Sequence, residues 1–185
     1  MPSRDDDVYV RDTLRWLERA VIGLNLCPFA KAAHVKQLVH FTVSAARDVA
    51  GVLDDLAAEL DALVALDAGV RETTLLVVPH ALHDFLEYND FLPRAERVVR
   101  KRGLEGVIQL ASFHPQYRFD DTQADDITNF TNRSPYPLVH LLREDSISRA
   151  VEAYPDPALI YEANMQVLRR LGRQGWTALD VGPSR

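Results

Sequence analysis

The chain has 185 residues, of which 47% are hydrophobic and 26% charged, with a formal net charge of −6. That composition belongs to a globular domain long enough to bury its own core and excludes wholesale disorder. The acidic balance argues against nucleic acid as a global partner, and the single cysteine, Cys27, excludes an internal disulfide. The start, MPSRDDDVYVRD, lacks the apolar centre of a secretory signal, and no apolar run approaches the roughly 20 residues of a membrane span. These features predict one cytoplasmic domain over residues 1–185, with a loosely ordered N-terminus and C-terminal tail and no membrane partner.

Val10, Leu14, Leu17, Val21 and Leu24 recur at spacings of four and three, the apolar stripe of a first helix that should weaken at Gly23. Cys27-Pro28 then predicts a short helix from Pro28 to His34, with Cys27 as its cap. Residues 37–43 (QLVHFTV) read as a strand. Ser44 is the expected cap of a long helix carrying Val49, Val52, Leu53, Leu56, Leu60, Leu63 and Val64. Residues 73–78 (TTLLVV) form an apolar, β-branched run that predicts an interior strand. A helical region over 81–102 should be interrupted between Asn89 and Pro93 and stopped by Gly103. Residues 107–113 (VIQLASF) read as a third strand. No periodicity marks His114 to Pro135, a long loop anchored by Phe113, Tyr117, Phe119 and Phe130. Ser134-Pro135 then predicts a helix to about Glu144, and Asp156-Pro157 a last one that ends at Gly172. Alternating strands and helices predict an α/β layered domain with a central, mostly parallel sheet of three or more strands flanked by helices. A ferredoxin-like α+β arrangement is the alternative.

If the sheet is parallel, Ser44, His80 and His114 share its carboxyl edge, where open α/β sheets bind ligands. Each histidine alone also has a plain reading as a partly buried strand stop. The loop that follows carries Gln116, Tyr117, Arg118, Asp126, Asn129, Asn132, Arg133, Ser134 and Tyr136. Asn132-Arg133-Ser134-Pro135 at a helix start would offer free N–H groups and a guanidinium fork to an anion. The plain reading is a capped helix whose arginine is neutralised by Asp125 or Asp126. Within that helix His140, Arg143 and Glu144 would lie within one turn of one another. His80 and His83, with His114 and Asp120, Asp121, Asp125 and Asp126, complete no familiar metal-ligand spacing, so no stoichiometric metal is expected. Cys27 reads as a small buried residue first and a reactive thiol or weak haem contact second. The cluster Arg94, Arg97, Arg100, Lys101 and Arg102 complements a helix C-terminus.

The blocks NLCPFAK (25–31), ETTLLVVP (72–79), EYNDFL (87–92), GVIQLASFHPQYRF (106–119) and NFTNRSPYPLVHLLRE (129–144) together resemble a bacterial family, the domain of unknown function DUF1415. The resemblance runs over nearly the whole chain. It implies one cytoplasmic domain and carries no activity, cofactor or catalytic residue with it.

The leading functional expectation is an enzyme acting on a small anionic metabolite, phosphorylated or carboxylate, with its reaction and cofactor unspecified. Arg133, Ser134 and the helix start would hold the anion, with Arg118, Asn129, Asn132, Tyr117 and Arg143 supporting it. His114, His140 or His80 would act as acid or base, oriented by Asp126. The alternative is a non-catalytic ligand-, protein- or RNA-binding regulatory module that uses the same loop.

Overall fold

The computed structural model of the protein describes residues 4–152 and 158–184. The first stripe folds as α1, Arg4–Trp16, and runs on into a π-helical segment, Leu17–Ile22, before Gly23. The short helix α2 covers Ala30–Val35, with Phe29 rather than Cys27 at its cap. Strand β1 is Val39–Val43 and α3 is Val49–Ala65. Asp48, not Ser44, caps α3 by accepting the Gly51 amide, because Ser44 is buried and gives its hydroxyl proton to Asp55 at 2.6 Å. Strand β2, Thr73–Val77, is buried at every position. Helix α4, Phe85–Lys101, starts on the Asp84 cap and runs unbroken through Pro93. The expected interruption does not occur, since Asn89 and Pro93 both face solvent and the lost backbone bond is wetted. Gly103, at φ +68°, ends the helix in the left-handed region.

Strand β3 is Ile108–Phe113. A 3-10 turn, Ile127–Asn132, follows within the long loop. The next element corrects the sequence reading: residues Leu138–Arg143 form β4, not a helix, and α5 is Glu144–Glu152. The physical reason lies in Pro135 and Pro137. Ser134 and Tyr136 each precede a proline, which disfavours the α region for both and keeps the chain extended into β4. Helix α6, Ala158–Ala178, contains Gly172 at φ 63°, ψ 178°, so the chain kinks there instead of ending. The expected start of this helix at Asp156-Pro157 lies outside the described residues, as do the first three residues of the N-terminus.

The sheet order is β1-β2-β4-β3. Only β1 and β2 pair in parallel, and β4 is antiparallel to both β2 and β3. The architecture is therefore mixed α/β with one mostly antiparallel four-stranded sheet, not a mostly parallel one. The chain order β-α-β-α-β-β also differs from the β-α-β-β-α-β of the ferredoxin-like alternative. Because β4 is inserted antiparallel between β2 and β3, strands β1, β2 and β3 still run the same way, and β2 is interior.

Each sheet face carries its own core. Val52, Leu56, Leu60 and Leu63 of α3 and Tyr88, Phe91, Ala95 and Val99 of α4 cover Leu76, Ile108, Val139 and Leu141. Each of these leucines contributes about 1.5–3 kcal/mol relative to an exposed one. On the opposite face Trp16, Leu17, Ala20 and Val21 pack on Leu75 and Leu138. The C-terminal tail, expected to be loosely held, closes this second core with buried Val181. The Ser184 amide and hydroxyl donate to the buried Asp12 carboxylate, Tyr136 adds its hydroxyl at 2.7 Å, and Arg15 lies 3.1 Å away.

Candidate functional site

The structure disperses most of the side chains that the sequence grouped. Arg133 follows the 3-10 turn and forms no ion pair with a carboxylate among the described residues. Its Nε donates to the Tyr117 carbonyl at 3.2 Å, one terminal nitrogen donates to the Ala124 carbonyl at 2.7 Å, and the guanidinium stacks 4.3 Å above the Phe130 ring. It pins the long loop shut. Asn129 is fully buried and does the same, accepting from the Phe119 amide and the Thr122 hydroxyl and donating to the Gln123 carbonyl. Asn132 donates to the Ser112 carbonyl, Ser134 to the Tyr136 carbonyl, and Asp126 caps the 3-10 turn through Thr128. Those amide and hydroxyl bonds hold the Asp126 carboxyl below its ordinary range. Tyr117 packs on Phe85 and Phe119, and Arg118 is exposed.

His114 is fully buried with both ring nitrogens engaged. Nδ1 accepts the Gln116 amide, so Nε2 carries the proton and donates to the Leu82 carbonyl at 3.0 Å. Burial holds it below the ordinary histidine range. His80 meets the edge of Tyr9, with ring centroids 5.4 Å apart. Ser44, His80 and His114 do share the carboxyl edge of β1, β2 and β3. A larger cavity lined by other residues lies elsewhere in the described structure.

That cavity, about 540 Å³, lies on the sheet face beneath α1, the π-helical segment and α2. Its floor includes Thr73 and Leu75 of β2, His140 and Leu142 of β4, and Phe113 of β3. Its walls include Trp16, Leu17 and Val21 from the first helix, Phe29 from the turn before α2, and Ile147 from α5. Leu17 and Val21 both stand on the π-helical segment, and such segments occur frequently at functional sites. Exposed Lys36 and Arg149 stand at its opening with half-buried Glu72. Arg143 also borders it, but its guanidinium donates to the carbonyls of Leu63, Leu66 and Arg71 and so closes the end of α3.

Two expected residues, His140 and Arg143, therefore border one cavity, while His114 and Arg133 do not. Their grouping in one turn of a helix is replaced by strand alternation: His140 and Leu142 face the cavity, Val139 and Leu141 the α3–α4 core. His140 pairs across the strands with Leu75 and Ala111. Its Nε2 sits 2.5 Å from the Thr73 hydroxyl oxygen, which in turn donates to the Leu141 carbonyl at 2.6 Å. Burial pushes the His140 pKa down to about 4, so the ring is neutral at physiological pH. Cys27 lines the same cavity, and burial raises its thiol pKa, which opposes the reactive reading. Among the described residues no three His, Cys, Asp or Glu side chains come together as a metal site.

Thr73, Trp16, Lys36 and Arg149 were not anticipated. A signal existed for Thr73: a hydroxyl in the interior strand of a sheet must find a partner, and the partner is a candidate site residue. The Asp12–Tyr136–Ser184 network was also missed, since its members stand 124 and 172 positions apart from Asp12.

No helix among the described residues is long and apolar enough to cross a membrane. No curated protein and no solved structure matches the chain. A family model described as protein of unknown function (DUF1415) matches residues 8–178, and the chain belongs to that family.

Proposed function

We propose that the protein binds a small anionic organic molecule in the cavity between the first helix and the sheet. The observation that carries this reading is the distribution of polarity. Among the described residues the walls are aromatic and aliphatic, the floor has one neutral imidazole, and the opening has two cations, Lys36 and Arg149, against one carboxylate, Glu72. In a chain whose net charge is −6, a locally basic opening on an apolar chamber favours an organic acid over a cation or a neutral sugar. The volume is that of an ordinary small-molecule pocket.

A binding module is the reading favoured over an acid–base enzyme, because His140 is paired with a threonine and not with a carboxylate. The enzyme reading keeps one supporting observation: His140 lines the chamber with Nε2 on Thr73, which leaves its second nitrogen to take a proton from a bound molecule. The phosphorylated or carboxylate anion expected from the sequence is retained, and its site moves from Arg133 to this opening.

The test is thermal unfolding with 3-phenylpropionate as probe. Wild type should gain melting temperature with probe concentration, by mass action on the folded state. The double variant Lys36→Gln, Arg149→Gln should gain distinctly less. Equal gains in the two proteins would refute the site.

A further inference from the structure

Resting on that reading, we propose that the cavity selects an organic acid with an aromatic or branched apolar body and an O–H or N–H donor at the end remote from the acid, which enters first and meets Nδ1 of His140.

The Thr73 hydroxyl has a single hydrogen, and it lies between two neighbours, the Leu141 carbonyl and His140 Nε2. A carbonyl can only accept, so the hydroxyl proton belongs to Leu141. Nε2 must then be the protonated nitrogen and donate to the Thr73 oxygen. In a neutral ring that leaves Nδ1 as a bare acceptor. No donor among the described residues reaches it. Nor is it sealed off: among the described residues the fully buried side-chain nitrogen or oxygen without a hydrogen-bond partner is Arg15 Nε. Nδ1 therefore opens onto the space that His140 lines.

A bare acceptor on the floor of an apolar chamber has consequences for what fits. A carboxylate or phosphate oxygen is also acceptor-only, so placing it against Nδ1 would bury two lone pairs face to face. The anionic end is thus turned outward to Lys36 and Arg149, beside the Ser146 hydroxyl, which takes a hydrogen bond from Arg149 at 3.0 Å. Between the two ends lie Trp16, Phe29, Phe113, Leu142 and Ile147, which offer no polar partner apart from the Trp16 indole N–H. That N–H is itself spent on the Arg133 carbonyl. Inorganic phosphate, sugar phosphates and short dicarboxylates satisfy the opening and leave the walls and Nδ1 unmatched. A hydroxylated aromatic or branched acid satisfies all three zones, and burial of the imidazole keeps the acceptor unprotonated across the physiological range.

The experiment compares three probes by isothermal titration calorimetry: 3-(4-hydroxyphenyl)propionate, its 4-methoxy ether, and 3-(4-hydroxyphenyl)propionamide. Occupancy is located by protection of Cys27, the only cysteine, from a thiol reagent. The phenol acid should bind about tenfold tighter than the ether, the worth of one buried hydrogen bond, and should slow Cys27 labelling. His140→Leu should erase that preference. The wild-type comparison of phenol and ether stands even if that variant does not fold. Equal affinity for phenol and ether overturns the donor requirement and leaves the anion reading in place. Equal affinity for acid and amide overturns the anion reading. Absence of binding by all three probes overturns both.

Discussion

His140 is neutral because β4 carries it into an apolar chamber, and that neutrality is itself a stability effect. In the unfolded chain the imidazole has its ordinary pKa of 6.5, and in the folded protein burial lowers it to about 4. Between those two values the unfolded chain takes up a proton that the folded one refuses. The contribution is complete above pH 6.5 and is lost as pH falls toward 4, with a full span of about 3 kcal/mol. Cys27 and Glu72, which border the same cavity, and Arg143, whose charge is turned to the end of α3, do not compensate the burial. His114 is also held low by burial and adds to the same slope. Urea unfolding of wild type at pH 7 and pH 5 should therefore show lower stability at pH 5, and His140→Leu should flatten this difference without abolishing it. A wild-type protein no less stable at pH 5 would contradict the assignment. At this scale the sequence marked His140 as chemically capable and could not tell which nitrogen was free, because that depends on Thr73, which is 67 positions away.

Among the elements, helices α1, α3 and α4 were legible because each buries a stripe with the helical period, and strands β1 to β3 because they are short, β-branched, largely apolar runs between turn signals. The failure was β4. LVHLLR is apolar with no strict alternation, as expected of a strand buried on both faces, and such short runs do not separate strand from helix by periodicity. The deciding local information was the pair Pro135 and Pro137. Proline was over-weighted in the opposite sense in α4, where Pro93 does not break the helix. Its cost there is one missing backbone bond and a crowded carbonyl on a wetted face. Pro93→Ala should accordingly stabilise the protein by about 1 kcal/mol or more, the gain in helix propensity being partly offset by a more flexible unfolded chain. A lower urea midpoint for this variant would show that the proline ring makes packing contacts that outweigh its backbone cost.

At the level of the whole molecule, the Asp12 carboxylate ties the C-terminal tail to the first helix, beside the hydrogen bonds of Arg15 to the Gly182 carbonyl and of Arg19 to the Leu179 carbonyl and the Arg19–Asp180 ion pair. Burial disfavours the charged form of Asp12, but hydrogen bonds from the Ser184 amide and hydroxyl and from Tyr136, together with the Arg15 charge, outweigh it and hold its pKa below the ordinary value. Asp12→Ala removes the acceptor shared by α1, the segment before β4 and the C-terminal tail, and leaves the Tyr136 hydroxyl and the Ser184 amide and hydroxyl without it. It should cost about 3 kcal/mol. The checks are chemical unfolding and faster proteolysis of the tail after Leu179. An unchanged midpoint would mean that Val181, Trp176 and the Arg15 and Arg19 contacts hold the tail without the carboxylate. What the sequence by itself determined was the family, the mixed α/β class, the interior placement of β2 and the common direction of β1, β2 and β3. The family follows from the residue blocks that carry the resemblance, the interior placement of β2 from its apolar β-branched run, and the class and strand direction from the order of elements and the handedness of short crossovers. Only the tertiary structure decided where a ligand would fit. The antiparallel insertion of β4 carries His140 to Thr73, and the first helix roofs them with Trp16, Leu17 and Val21. The same folding spends Arg133, Asn129 and His114 on backbone carbonyls and amides inside the long loop. Sequence shows which groups can donate and accept. Which of them remain unspent is settled by contacts between residues far apart in the chain.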